Sequence, residues 1–300
     1  MRIAVVTATD HQTFYLAKGL LLSLVEVAGD YVARCVIDIG CTARERAWLA
    51  GIATALATPD PADEPIAAWP EFDRHHLALR LRSRLPHVFP GYDAYFWLDA
   101  DTWVQTAEPL ELLGAAVRLD RVGAIPELHR SYQLHYGYAP EYEAMRRDWW
   151  GLVADGAELD RLTPRAVFNV GVFSAAAQSP FWERFEAAMQ RLMARTRLKH
   201  FFDQMAFNQV LAEADGLVEP LPAYCNWLCG WTQPVRGDQS GLLVEPSLPY
   251  HPLGILHLIV APNRVTYLQA GLFYRRGRYI EADDLPDEKR HWFAEIPTDG

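Results

Sequence analysis

Apolar residues follow two rhythms along this chain. Short continuous runs, Ile3 to Ala8, Val32 to Ile39, Tyr95 to Leu98 and Val122 to Ile125, have the length and content of buried strands. Between the first of them lie segments with apolar residues at helical spacing. Thr13 to Ala28 is one, with Asp10 or Thr13 placed to cap it, and Ala43 to Leu56 is another, broken by Thr58-Pro59-Asp60-Pro61. Arg74 to Leu85 predicts a helix bearing Arg74, Arg80, Arg82 and Arg84, which leads through Pro90-Gly91 to the Tyr95 run. Tyr132 to Trp150 is aromatic and lacks a clear period; it reads as an insertion packed over a site. Phe168 to Phe173 predicts a strand with a central Gly, Ser179-Pro180 opens a helix reaching about Arg195, and Phe202 to Ala212 is amphipathic. After a turn-rich stretch at Leu221-Pro222 and Asn226-Trp227, Ile255 to Ile259 predicts a last strand carrying one histidine. Strands alternating with helices predict an α/β fold, a mostly parallel central sheet with helices on both faces. Repeats and linkers are absent, so residues 1–300 read as one domain.

In such sheets ligands bind at the carboxyl ends of the strands, and there the polar residues draw attention. The Tyr95 run ends in Asp99-Ala100-Asp101. In an extended chain residues two apart point to one side, roughly 6.6 Å from each other. Like charges beside a buried strand repel and lose hydration, and a shared divalent cation reverses both penalties. A polar turn is the bland alternative. The phosphohydrolase signature Asp-x-Asp-x-Thr/Val is a rival, weakened by Trp103 at the Thr/Val position and by the motif's place far from the first strand. The first strand ends in Thr7-Ala8-Thr9-Asp10, which has neither the Gly-x-Gly-x-x-Gly of dinucleotide folds nor the Gly-Lys-Ser/Thr of phosphate loops. Gly171, inside a strand beside Asn169, suits close approach of a ligand or of backbone. Asp203 can be a helix-terminal acid as well as a site residue. A lone histidine such as His257 reads first as a satisfied core residue. The arginines read as a solvated face, or as bidentate anchors if a diphosphate lies near.

Composition narrows the classes. Three hundred residues, half of them hydrophobic, bury a large core. A net charge of -10 argues against nucleic acid as a partner. No run is long enough to span a membrane, and Met1-Arg2 leads into an apolar run broken by Asp10, so neither a transmembrane segment nor a signal peptide is expected. Cys35, Cys41, Cys225 and Cys229 form no zinc spacing and suit a reducing, cytoplasmic setting.

The order of these motifs resembles the family-eight glycosyltransferases, which include glycogenin and bacterial lipopolysaccharide galactosyl- and glucosyltransferases. The resemblance runs through Ile3-Ala4-Val5-Val6-Thr7, Leu98-Asp99-Ala100-Asp101, Phe168-Asn169-Val170-Gly171-Val172, Asp203-Gln204 with Asn208, Leu221-Pro222 with Asn226, and His257. It implies a GT-A fold with a nucleotide-sugar-binding core at about 1–215 and a C-terminal segment, about 216–300, closing the donor and acceptor site. It implies a nucleotide-sugar donor, usually UDP-linked, and a Mn2+ or Mg2+ ion held by Asp99, Asp101 and His257; two carboxylates with an imidazole suit manganese better. Thr7, Ala8, Thr9 and Asp10 match the nucleotide-binding turn, and Ala100 lies with the flanking acids on the donor. Asn169 and Gly171 match the sugar-facing strand, and Asp203 and Gln204 the catalytic pair beside the anomeric carbon. The family's upstream arginine is Arg80 or Arg82. Where the family places Gly and Lys after the metal histidine, this chain has Val260 and Asn263, with Arg264 adjacent and able to take the diphosphate. The implied activity is metal-dependent sugar transfer, with retention, to a glycan, lipid-linked or other acceptor. A non-catalytic nucleotide-sugar or glycan-binding protein of the same fold is the alternative.

Overall fold

The computed structural model describes residues 1–68, 72–132, 139–195, 202–213, 216–237, 241–259 and 285. Arg264, Val260 and Asn263 lie outside the described residues.

In chain order β1 (Ile3–Thr9) leads to α1 (Phe14–Ala28), β2 (Ala33–Asp38), α2 (Ala43–Ile52) and β3 (Ala55–Ala57). The launch of α1 is set by Asp10, whose Oδ1 accepts from the Thr13 N–H (2.9 Å) and the Thr13 hydroxyl (2.8 Å). Helix α2 begins with a reciprocal capping box between Thr42 and Glu45. It stops four residues before the expected Leu56. Ala55 to Ala57 pair instead with Cys35 to Ile37, so sheet pairing overrides the helix preference of an Ala/Leu segment.

The expected helix from Arg74 is interrupted: α3 (His75–Leu81) passes through a 3₁₀ turn at Arg82–Arg84 into the one-turn α4 (Leu85–Val88), whose second residue is Pro86. Strand β4 (Ala94–Leu98) and the short β5 (Thr102–Val104) flank the Asp-x-Asp. Then come α5 (Glu108–Arg118), which the sequence reading did not anticipate, and β6 (Val122–Pro126). The aromatic stretch from Tyr132 to Trp150, which has no clear period in sequence, holds α6 (Ala139–Gly151), followed by α7 (Gly156–Leu162). Strand β7 (Phe168–Ala176), α8 (Phe181–Arg195) and α9 (Phe202–Glu213) fall where expected. The remaining strands are short: β8 (Val218–Pro220), β9 (Trp227–Leu228), β10 (Val235–Arg236), β11 (Leu243–Val244) and β12 (Ile255–His257).

The fold is mixed α/β, with seven strands in a mostly parallel central sheet. The chain divides into two compact units. One comprises Arg2–Pro59, Leu98–Pro109 and Tyr224–Gly300. Within it β3, β2 and β1 lie side by side in parallel, and β5, β12 and β9 form a small separate sheet. Gln105 ties its late segment down: its amide donates to the Leu243 and Leu253 carbonyls and its oxygen accepts from Leu243 N–H.

The other unit comprises Asp60–Trp97 and Leu110–Ala223, with Met1. Its strands run β4-β7-β6-β8, with β6 and β7 antiparallel. The core here is aromatic. Phe173, Phe181, Phe185 and Phe207 meet with ring centroids 5.1 to 6.3 Å apart, a range in which edge and tilted contacts add to area burial. Gly123 on β6 has no room for a side chain: a Cβ would stand 2.6 Å from Ser174 Oγ and 2.9 Å from Ala116 Cβ. All four cysteines are buried, and none is in a disulfide. Among the described residues no helix is long and apolar enough to cross a membrane.

Candidate functional site

The two aspartates meet in a way the extended-chain picture did not foresee. Asp99 lies just past β4, and the Thr102 N–H (2.9 Å) and hydroxyl (2.7 Å) both donate to the Asp99 carbonyl. Asp99 to Thr102 is therefore a tight turn, and the turn, rather than strand alternation, brings the carboxylates together. Strand β5 starts at once after it. Antiparallel to β5 runs β12, in a register that sets His257 opposite Thr102. The Leu258 N–H donates to the Asp101 carbonyl (2.9 Å), closing the pairing at the site. On its other side β12 is parallel to β9, which follows Asn226, with His257 opposite Leu228. Three short strands thus carry a late histidine to an early acidic turn.

The His257 ring lies between its neighbours. Its Nε2 is 3.2 Å from Asp101 Oδ1 and 3.7 Å from Asp99 Oδ2, and its Nδ1 is 3.0 Å from Asn226 Oδ1. His257 and Asp101 are buried, and the Asp99 side chain keeps 20 % of its surface open. One donor atom from each of the three residues lies within 4.8 Å of the others. Two ligands of one ion at ~2.0–2.2 Å stand at most about 4.4 Å apart, and both histidine–carboxylate separations fall inside that span. Two carboxylates and an imidazole fit a divalent cation in charge and in donor type, and the hydrogen bond at the far nitrogen holds the ring in place.

At the end of β1, Thr7, Ala8 and Thr9 are buried and Asp10 is half-buried. The Thr7 hydroxyl has no hydrogen-bond partner among the described residues. Thr9 donates to the Asp10 carbonyl, and the Asp10 carboxylate is engaged with Thr13 as described above. Alongside are groups the sequence reading did not single out. His11 Nδ1 is 2.7 Å from Glu45 Oε1, and Asp38 accepts from the Gly40 and Cys41 N–H groups and from Arg46 Nε. Burial pushes the Asp38 carboxyl up, but the bonds from Cys41, Arg46 and Gly40 outweigh it and hold the group below the usual carboxylate range.

A second polar cluster lies in the other unit. Arg82 donates to the Asp203 carboxylate, both groups buried, and its guanidinium sits 4.8 Å from the centre of the Trp97 ring. One residue on, Gln204 donates from Nε2 to Glu127 Oε1 (3.1 Å), and its own oxygen accepts from the Val170 N–H (3.3 Å). Asn169 also donates to Glu127 (3.0 Å), while its oxygen accepts from Gly171 N–H (2.9 Å). Behind them Asn208 brackets Phe168, accepting from its N–H (2.7 Å) and donating to its carbonyl (2.8 Å). A β-bulge shapes this cluster. Ala124 pairs with Phe173 but Ile125 with Asn169, so Val170, Gly171 and Val172 bow out of the ladder and turn Asn169. Glu127 was missed by the sequence reading: one Glu after a strand-ending proline carries no pattern.

Arg80 belongs elsewhere. It donates to both Glu186 oxygens and to Ser83 Oγ, with Glu64 Oε2 3.4 Å from its Nε, and Arg84 donates to the same Glu64. Burial raises the Glu186 carboxyl, and the bonds from Arg80 and Ser83 more than reverse this, leaving it lowered.

No protein-family model matches the chain, and no curated protein matches it. Solved structures do. The galactosyltransferase LgtC, in complex with donor and acceptor sugar analogues, superimposes with a TM-score of 0.61 at 16 % identity, over 96 % of this chain and 99 % of that one. An active-site mutant of LgtC, with a glutamine changed to glutamate, gives 0.55 over the same shares. The bifunctional glycosyltransferase WbbM gives 0.57 at 17 % identity, over 86 % of this chain and 46 % of its own. At such identities the likeness is one of fold, and the fold is GT-A, as the motif order implied.

Proposed function

We propose that this chain is a divalent-metal-dependent glycosyltransferase that moves a sugar from a UDP-linked donor to an acceptor with retention. The observation that carries the reading is the convergence of Asp99, Asp101 and His257 Nε2 at a turn that the chain closes with three short strands, in a GT-A fold. When bound, a divalent cation there supplies Lewis-acid stabilisation of the diphosphate leaving group. A unit-charge pair 4 Å apart is worth about 4 kcal/mol at an effective dielectric near 20, and a divalent ion makes more than one such pairing.

The other roles are those that the family resemblance gives these residues. Asp99 and Asp101, with His257, would hold the ion, and Ala100 lies between the two acids in the turn. Thr7, Ala8, Thr9 and Asp10 hold the nucleoside, and Arg264 answers the diphosphate. Asn169 and Gly171, aimed by the bulge, hold the sugar. Gln204 presents a neutral amide to the oxocarbenium-like anomeric carbon; Asp203, already committed to Arg82, orients Arg82 rather than acting as a free base. Of the two candidate arginines, Arg82 is assigned to the donor, because its partner Asp203 adjoins Gln204, whereas Arg80 pairs with Glu186 and Glu64.

Incubation with a panel of nucleotide sugars and Mn2+ tests this. Slow release of UDP and free sugar, abolished by a chelator, is expected. Tight donor binding with no turnover, acceptors included, would make the chain a binding protein. Release that survives complete metal removal would contradict the metal assignment.

A further inference from the structure

Asn226 is fully buried, and its side-chain oxygen lies 3.0 Å from His257 Nδ1. A carboxamide oxygen can only accept, so the proton of that bond belongs to Nδ1. In the neutral ring, with Nδ1 carrying it, Nε2 turns a lone pair toward Asp101 (3.2 Å) and Asp99 (3.7 Å). The opposite tautomer would point an N–H into the space where the three donors converge, and an imidazole in that state cannot ligate through Nε2. The backbone fixes the partnership: Asn226 leads directly into β9, β9 is parallel to β12 with Leu228 opposite His257, and the Cys229 N–H donates to the His257 carbonyl (3.0 Å). The amide is also neutral. Two carboxylates and a neutral imidazole carry a formal charge of about -2, the complement of a divalent ion, where a carboxylate behind the ring would add to it.

We infer that Asn226 is the positioning residue that selects the Nδ1–H tautomer of His257 and so makes its Nε2 a metal ligand. The inference rests on the metal-site reading of Asp99, Asp101 and His257, and adds to it a residue that never touches the ion.

Calorimetry with MnCl2 alone, on the full chain, tests it. Asn226→Leu removes the acceptor at similar volume, and Mn2+ affinity should fall ~10–100-fold. Asn226→Asp keeps an acceptor oxygen at the same place and should bind Mn2+ at least as tightly as the wild type. A residue that merely packs would give the reverse order, because Leu suits a buried position better than a carboxylate. Equal Mn2+ affinity in Asn226→Leu and wild type overturns the inference and leaves the metal site standing; absence of Mn2+ binding in the wild type overturns the site itself. Should Asn226→Leu fail to fold, 15N NMR of His257 in the Mg2+-loaded wild type decides. A protonated Nδ1 with a ligated Nε2 supports the inference, and a proton on Nε2 overturns it.

Discussion

The two polar clusters of this molecule hold their carboxylates by opposite means. In the unit built on β1 to β3, Asp99 and Asp101 face an imidazole across a turn. In the unit built on β4, β7, β6 and β8, Asp203 faces the Arg82 guanidinium and Glu127 accepts from the amides of Asn169 and Gln204. The second cluster is completed by the chain's own donors. The first gathers three ligand atoms within 4.8 Å of one another. A buried carboxylate with its own cation is part of the folded structure, and removing either partner strands the other. On the proposed reading, the Asp99–Asp101 pair gains stability when a cation binds.

The largest expected effect tests the completed cluster. Arg82→Met takes the guanidinium from buried Asp203 and should cost about 3–5 kcal/mol in urea unfolding. A loss under ~1 kcal/mol would mean that Asp203 is not held as described.

Next is the device that brings β12 to β5. A Cβ at Gly254 would stand 2.1 Å from Pro109 Cγ, on a ring that cannot swing away, and Gly254 is bonded to Gln105 and Tyr224 through its backbone. Gly254→Ala should cost about 1–3 kcal/mol and weaken Mn2+ binding with it, since His257 rides on the same strand. Unchanged Mn2+ affinity would show that the strand tolerates the shift.

These positions also show what could be read in advance. The acidic turn and its late histidine were legible because their order along the chain carries the resemblance, and the core strands because continuous apolar runs mark burial. The turn geometry was not, since three residues look alike in sequence whether extended or folded back. Arg80 and Arg82 stood as equal candidates, yet Arg80 lies in α3 and Arg82 in the 3₁₀ turn after it, and residues two apart on a helical path point to different sides. Arg80 and Arg84, four apart, share Glu64, while Arg82 goes to Asp203. Glu127 and the role of Asn226 depend on which side chains sheet pairing sets face to face, and no local pattern encodes that.

Acid sharpens the contrast further. Glu186 has a folded pKa below its unfolded one, so its contribution is fully present above the unfolded value and is lost as pH falls through the lowered folded one. Glu186→Gln should flatten the acid limb of the stability profile in that window. An unaltered limb would remove Arg80–Glu186 from the account. The smallest effect belongs to the other cluster: Asp99→Asn, without metal, should shift stability by no more than ~0.5 kcal/mol in either direction. A large loss would mean that the pair is already neutralised by the chain.

The central claim is that Asp99, Asp101 and His257 form one cation site serving a nucleotide. It is tested most directly by calorimetric titration of UDP into the wild type and Asp101→Asn, each with and without Mn2+. The wild type should bind UDP only when Mn2+ is present, and Asp101→Asn should fold normally and lose that dependence together with the binding. Equal, Mn2+-dependent UDP binding in both proteins would contradict the claim.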